Sequence, residues 1–221
     1  MHWTHYLLPL LKGAELTAVI GLASTVLGAV LAFAAGIARV EGARLLSWLA
    51  LVYIEVFRGT SLLVQLFWLY YALPLIGISF DPVSTGIAGL ALNIGAYGAE
   101  VVRGALEAVA PQQREAARAL NFGWWHTLMR ICLPQAIVEM MPSFGNLAVQ
   151  NLKDTSLVSL ISISDLTFRA QSLRNITQDS VTIYTMTLIG YFVMALVMMA
   201  AMRWLEVAVR RGPAFPRGAH G

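Results

Sequence analysis

Charged residues are scarce in this sequence. Asp, Glu, Lys and Arg make up 12% of its 221 residues, hydrophobic residues make up 58%, and the mean hydropathy is +0.69. The charged share is about half that of an ordinary soluble domain. Such a chain has no polar surface for a large aqueous domain, which excludes an enzyme with a sizeable soluble catalytic half. We expect an all-α integral membrane protein that forms one domain over residues 1–221.

Cysteine is also nearly absent. The single residue Cys132 excludes an internal disulfide and a cysteine-based metal or iron–sulfur cluster. It begins an apolar stretch, which favours a small buried side chain. The four histidines lack the spacing and the carboxylate partners that a metal site needs, so no metal site is expected.

Lysine occurs only twice, as Lys12 before Gly13 and as Lys153 before Asp154. Neither can complete a GxxxxGK[ST] phosphate loop, so the chain cannot bind ATP by that motif and no cofactor is expected in it. No GxSxG elbow or comparable nucleophile is present, which predicts a protein that is not an enzyme. The net charge of +3 marks cytoplasmic loops in a membrane protein, and no nucleic-acid partner is expected.

Long apolar runs are what the sequence has instead. A helix of about 20 apolar residues crosses the hydrocarbon core of a bilayer. Five runs are predicted to do so: residues 16–38, 59–80, 82–99, 131–151 and 180–202. The fourth contains Glu139, Pro134 and Pro142, which predict a kinked or broken helix. Residues 45–57 are apolar but too short to span, and they are predicted to form an interfacial helix.

The Lys and Arg residues are unevenly divided between the two sides of these five spans. Eleven of the fifteen lie on one side: Arg39, Arg44, Arg58, Arg103, Arg114, Arg118, Arg130, Arg203, Arg210, Arg211 and Arg217. The other four lie opposite: Lys12, Lys153, Arg169 and Arg174. Positive residues favour the cytoplasm, so the N-terminus is predicted outside and the C-terminus inside the cell.

The longest polar segment, residues 103–130, then lies in the cytoplasm and is the place for a protein partner. A helix is predicted from Pro111, because proline suits the first helical turn and strong helix formers follow it. Asn121 stands where this helix would end, and asparagine tolerates the left-handed conformation found there. A solvated loop helix without a partner is the alternative.

This polar segment and the start of the fourth span contain a spaced pattern of seven residues: Glu115, Ala116, Ala117, Asn121, Ile131, Leu133 and Pro134. The pattern resembles the EAA signature in the membrane subunits of bacterial ABC importers. Residues 57–65, 93–104 and 152–157 extend the likeness to the polar amino acid permease family over nearly the whole chain. Two positions depart from it, since Asn121 replaces the usual glycine and Ser61 a common proline.

The resemblance implies a type I ABC importer permease fold in the bacterial inner membrane. It implies that a pair of short cytoplasmic helices docks on a separate ATPase dimer, which binds the ATP, and that the seven EAA residues couple ATP hydrolysis to transport. A second permease subunit, identical or a sister, and an external solute-binding protein complete such an importer. A scaffold that recruits a cytoplasmic partner and a secondary transporter are the competing hypotheses.

Polar residues inside the spans are candidates for a solute pathway. Gln65, Asn93 and Tyr97 are uncharged and can form hydrogen bonds with a zwitterion, although each can equally bridge two helices. Glu100 either contacts the solute or pairs with Arg103 one turn later.

The remaining intramembrane features are Glu139, a weaker pathway candidate, and the small residues Gly28, Ala32 and Gly36, which predict a packing seam on span one. Few buried charges favour a zwitterionic solute. Residues 57–78 most resemble the ectoine and hydroxyectoine branch of the family, so ectoine-like solutes are the expected cargo, with another polar amino acid as the second choice.

Overall fold

A computed structural model describes residues 3–211, where all regular structure is helical. Nine α-helices are described: α1 (Trp3–Glu41), α2 (Arg44–Gly59), α3 (Leu62–Phe67), α4 (Pro82–Ala108), α5 (Pro111–Ala119), α6 (Trp124–Thr127), α7 (Leu133–Asp154), α8 (Leu166–Thr177) and α9 (Ser180–Arg210). Short π and 3₁₀ turns extend some of them: Trp68–Ala72 and Leu73–Ile76 after α3, Leu128–Cys132 between α6 and α7, and Thr155–Ile161 after α7. Arg217 lies outside the described residues.

Three of these helices are long and apolar enough to cross a bilayer: Tyr6–Glu41, Pro82–Ala108 and Ser180–Arg210. A fourth is added if α2 and the segment Leu62–Ile76 form one broken span, since the two are bent by 106°. The chain is therefore helical and crosses the membrane several times. The first, third and fifth predicted spans each lie within one of these long helices.

The helices extend beyond the predicted spans. Charged residues mark the ends of the apolar runs, yet α4 continues through Glu100 and Arg103 to Ala108, and α9 continues to Arg210. The first residues of the predicted loop 103–130 are therefore helical. A charged side chain limits how far a helix is embedded in lipid, but it does not stop the backbone hydrogen bonding.

The predicted second span, residues 59–80, is divided in the structure. A helix is confirmed over residues 45–57 as α2, which ends at Gly59, and a new helical segment begins at Leu62 after the bend. It closes at Gly77, whose φ of +89° is readily adopted by glycine.

The predicted fourth span is not broken. The chain is helical from Trp124 to Asp154, and the irregular part is the π turn Leu128–Cys132 just before Pro134. A proline leaves the carbonyl four residues earlier without its helical donor, and a wider turn accommodates the ring. Pro142 lies inside α7, which continues for twelve residues beyond it.

The core is built around α1 and α4, which pack side by side over most of their length. A Cβ atom at Gly28 would lie 2.3 Å from Cγ2 of Ile94, and one at Gly36 would lie 2.6 Å from Cβ of Val102. Ala32 between them is fully buried. The packing seam predicted from these small residues is confirmed, since glycine lets the two backbones approach closely.

Cys132 is 1% exposed and belongs to the apolar cluster beneath α5 and α6, as predicted.

A buried polar contact joins α7 to α1. The Nδ2 atom of Asn151 donates hydrogen bonds to Oγ of Ser24 at 2.7 Å and to Oγ1 of Thr25 at 2.9 Å. These polar contacts fix α7 against the centre of α1.

Candidate functional site

The bend between α2 and α3 is held by two side-chain amides. Nε2 of Gln65 donates to the carbonyl of Phe57 at 2.9 Å and to Oγ1 of Thr60 at 2.8 Å. Nδ2 of Asn93 on α4 donates to the same Phe57 carbonyl and to Oε1 of Gln65, both at 3.1 Å. The last carbonyls of a helix have no intrahelical donor, so these amides satisfy the end of α2. Both residues therefore have a structural role at the bend.

A polar cavity of about 490 Å³ opens beside this bend. Its walls come from the α2–α3 junction, α4, α7 and the turn after α7: Thr60, Ser61, Leu62, Asn93, Ile94, Tyr97, Leu147, Gln150, Asn151, Asp154 and Leu157. The lining mixes hydroxyl and amide groups with one carboxylate and several aliphatic side chains. This size and mixture are typical of a site for a small polar molecule.

The cavity brings together only part of the predicted pathway. Asn93 and Tyr97 line it, whereas Gln65 lies behind the wall, 9% exposed, in the bend. The sequence assigned no pathway role to Asp154 or Gln150. Asp154 lies in the stretch 152–157 that contributed to the family resemblance. That resemblance was the sequence feature that could have pointed to Asp154.

Charged residues cluster next to Tyr97. The guanidinium of Arg58 lies 5.4 Å from the centre of the Tyr97 ring and 4.0 Å from the carboxylate of Glu100. Nη2 of Arg103 approaches Glu100 to 2.8 Å, which confirms the predicted helix-surface ion pair, and its Nη1 reaches Glu107 at 2.6 Å. Because Glu100 has two cationic neighbours, Arg58 and Arg103, it lies at the centre of an ion-pair network.

Glu139 lies on an exposed position of α7. Its neighbour Met140 is 1% exposed and packs in the apolar cluster beneath α5 and α6. The carboxylate therefore faces away from that core, and the polar cavity is lined by α7 residues from Leu147 onwards. This placement gives Glu139 no part in the cavity.

Residues 111–134, which we call the EAA segment, contain α5, α6 and the following π turn. Pro111 begins α5, and Asn121 has a φ of +56°, so both the predicted helix start and the predicted left-handed stop are confirmed. Glu115 and Ala116 are exposed on α5 and are available to another protein. Leu120, just after α5, is an apolar residue that is 66% exposed.

Ala117 corrects one expectation. The helix that begins at Pro111 was expected to offer its residues to a protein partner, but Ala117 within it is 1% exposed and faces the interior of this chain. On a helix, residue 117 is rotated by about 100° from residue 116, so Ala117 can face inward while Ala116 is exposed. Ile131, Leu133 and Pro134 are also partly buried, and Leu133 packs against the apolar cluster that contains Cys132. These four residues support the segment from inside.

The EAA segment is fastened to the end of α1. The Glu41 carboxylate accepts hydrogen bonds from Nη1 of Arg114 on α5 and from Nε1 of Trp124 on α6. No sequence pattern points to Glu41, because it lies more than 70 positions from either partner. A cavity of about 230 Å³ lies next to this contact.

Comparison with known proteins agrees with this architecture. Residues 16–211 match the family described as "Binding-protein-dependent transport system inner membrane component". The chain is 54% identical over 217 residues to a probable amino-acid ABC transporter permease protein of Sinorhizobium fredii, covering 96% of this chain and 91% of that one. It is 35% identical over 202 residues to the glutamine transport system permease protein of Escherichia coli, covering 89% and 91%.

A solved structure is also similar. The crystal structure of an amino acid ABC transporter with histidines superposes with a TM-score of 0.84 at 30% identity, covering 93% of this chain and 96% of that one. The chain belongs to the family of binding-protein-dependent transport system inner membrane components. It is a multi-pass permease subunit of the inner membrane and is not itself an enzyme. The resemblance to amino acid permeases is confirmed.

Proposed function

We propose that this chain is the permease subunit of an ATP-driven importer for polar amino acids or related zwitterions such as ectoine and hydroxyectoine. In this proposal it crosses the membrane five times, as predicted, with α7 as the fourth span. The N-terminus faces outward and the EAA segment faces the cytoplasm. The observation that carries the proposal is the polar cavity between the α2–α3 bend and α7.

The chemistry of the cavity supports a zwitterionic solute. Asp154 offers a carboxylate to an ammonium group, while the Tyr97 hydroxyl and the Gln150 amide, which also donates to Asp154 at 2.9 Å, can donate to a carboxylate. Aliphatic walls from Leu62 and Leu147 suit a small carbon skeleton. The names of the similar amino acid permeases support this class, and ectoine, a cyclic zwitterionic amino acid, falls within it.

The exposed surface of α5 supports coupling to an ATPase. Glu115 and Ala116 lie together on that surface, with apolar Leu120 at the end of the helix. We assign these residues to the contact with an ATPase dimer, and Ala117, Asn121, Ile131, Leu133 and Pro134 to the shape of the segment. A second permease subunit, identical or a sister, and an external solute-binding protein complete the proposed importer.

The substrate proposal is tested with the complete importer reconstituted in vesicles. ATP-dependent uptake of labelled glutamine and labelled ectoine is measured for the wild type, for Asp154→Asn and for the control Asp179→Asn, which lies outside the cavity. We expect the wild type to take up at least one solute. Uptake should fall roughly tenfold or more in Asp154→Asn alone, because the contact between the Asp154 carboxylate and the ammonium group of the solute is removed. Equal uptake by both variants would contradict the role of the cavity.

The coupling proposal is tested separately by purification. The wild type should copurify with an ATPase, and Glu115→Arg should lose it while still inserting in the membrane. A chain that transports solute without an ATPase would instead be a secondary transporter. A chain that binds a cytoplasmic partner but transports nothing would be a scaffold.

A further inference from the structure

Glu41, the last residue of α1, uses both of its carboxylate oxygens. Oε1 accepts a hydrogen bond from Nη1 of Arg114 at 2.5 Å, and Oε2 accepts one from the indole Nε1 of Trp124 at 2.6 Å. The side chain of Glu41 is 11% exposed and that of Arg114 is 29% exposed. Because the ion pair is partly shielded from water, it is stronger than an open surface pair.

The two donors lie on either side of the left-handed turn of the EAA segment. Arg114 is in α5, before Asn121, and Trp124 begins α6, after it. The single Glu41 carboxylate therefore binds both helices of the segment, α5 and α6. The Trp124 side chain is otherwise 53% exposed, so its bond to Glu41 is a specific anchor and is not a consequence of burial.

Arg114 extends the connection to a third helix. Its Nη2 donates to the carbonyl of Leu106 at 3.4 Å, and Leu106 is a fully buried residue in the last turn of α4. The contact joins the ends of α1 and α4, whose central parts pack at the glycine seam, to α5. Arg114 therefore contacts the ends of both helices.

Gly42 follows Glu41 directly, and its backbone closes the last turn of α1. The N–H of Gly42 donates to the carbonyl of Ala38 at 3.1 Å, and a Cβ atom at Gly42 would lie only 2.3 Å from that carbonyl oxygen. Any larger residue would force the backbone to move after the last turn of α1. The backbone next to Glu41 at the end of α1 therefore depends on glycine at position 42.

We infer that Glu41 is a positioning residue that locks the EAA segment to α1, so that movement imposed on α5 reaches the membrane-spanning helices. The inference rests on the proposed coupling function of that segment. Without the carboxylate, α5 and α6 would follow the ATPase while α1 and α4 would lag behind. Loss of Glu41 should therefore lower the amount of solute transported per ATP hydrolysed, while the contact with the ATPase is kept.

The experiment measures solute transported per ATP hydrolysed in the complete importer reconstituted in vesicles. Glu41→Ala should retain the ATPase on purification and continue to hydrolyse ATP. Its transport per ATP should fall roughly tenfold, the factor expected when a charged hydrogen bond is removed. The matched control is Glu206→Ala, which removes the carboxylate paired with Arg210 at 3.0 Å on α9 and should leave the ratio unchanged.

Two further variants separate positioning from simple instability. Trp124→Phe keeps the aromatic ring but removes the indole donor, and it should lower the ratio, whereas Trp125→Phe should not. The exchange of Glu41→Arg combined with Arg114→Glu restores the ion pair and should recover part of the ratio lost by either single change.

The outcomes distinguish this inference from the proposed function. If the wild type couples ATP hydrolysis to uptake and both Glu41→Ala and Trp124→Phe keep the wild-type ratio, the inference is wrong and the proposed function stands. If the wild-type chain neither binds an ATPase nor uses ATP, the proposed function fails first. If Glu41→Ala does not insert, the Trp124→Phe and exchange variants decide in the same way.

Discussion

The side-chain amide of Asn93 donates a hydrogen bond of 3.1 Å to Oε1 of Gln65, and both residues also donate to the carbonyl of Phe57. The pair connects α4 to the 106° bend between α2 and the segment that follows it. Since the bend supplies Thr60 and Ser61 to the polar cavity, the same pair sets the position of one cavity wall.

Replacing Gln65 with Leu should destabilise the protein by about 1–3 kcal/mol, because Thr60 loses its donor and Asn93 loses its acceptor, and only Asn93 then donates to the Phe57 carbonyl. The measurement is thermal unfolding in detergent. Gln135→Leu serves as the control, since the amide of Gln135 donates to the carbonyl of Ile131 within its own helical stretch. Equal losses in the two variants would contradict the special role of the bend.

Gly36→Ala should separate α1 from α4. The added Cβ would lie 2.6 Å from Cβ of Val102 and 2.7 Å from the carbonyl of Ala99, and backbone cannot move aside as a flexible side chain does. We expect a loss of about 1–3 kcal/mol. Gly104→Ala, on the open side of α4 with nothing within 4 Å, should be neutral or slightly stabilising. Similar unfolding temperatures for both variants would show that the seam is not tightly packed.

The buried carboxyl of Asp165 should make the stability of the folded protein depend on pH. This fully buried residue caps α8 by accepting from the N–H of Phe168 at 2.8 Å, and burial raises the pKa of its carboxyl from 3.8 to about 6. The folded state therefore holds the proton more tightly than the unfolded state. Its contribution to stability is complete below pH 3.8, falls as the pH rises towards 6, and is constant above that value.

Asp165→Asn keeps the capping oxygen and cannot ionise, so it should flatten the fall in unfolding temperature between about pH 4 and pH 7. Asp179→Asn is the matched control, because Asp179 also caps a helix by accepting from the N–H of Thr182. Its variant should retain the wild-type dependence. An unchanged pH profile in Asp165→Asn would mean that another group causes the effect.

The predicted orientation is tested with single cysteines placed at Arg118 and Arg174, both exposed positions, in a chain carrying Cys132→Ser. An impermeant thiol reagent added to intact cells should label only position 174. Both positions should react after the cells are opened, which controls for accessibility. Labelling of position 118 alone in intact cells would reverse the topology.

Local sequence features predicted local structure well. Pro111 and Asn121 determine the ends of α5 through their own backbone preferences, and Gly28 and Gly36 reveal the seam because their spacing places them on one face of α1. Each depends on neighbouring residues or on helical periodicity, both of which can be read directly from the sequence.

Features that depend on distant partners could not be predicted in this way. The bend at residues 60–61 rests on Asn93, about 30 positions away, and the Glu41 contact joins residues more than 70 positions apart. The polar cavity likewise assembles from α4, α7 and the α2–α3 junction. The inward position of Ala117 depends on how α5 is turned against its neighbours, which its alanine-rich sequence leaves undetermined.

The length of α1 has a mechanical consequence. Its 39 residues form a rod about 58 Å long, roughly twice the thickness of the hydrocarbon core. In its N-terminal half, Oγ1 of Thr17 accepts the N–H of Leu166, and at its C-terminal end Glu41 holds the EAA segment. A tilt of only about 5° about one end displaces the far end by about 5 Å. The helix is thus a lever arm, and a slight rotation at one membrane surface is amplified at the other.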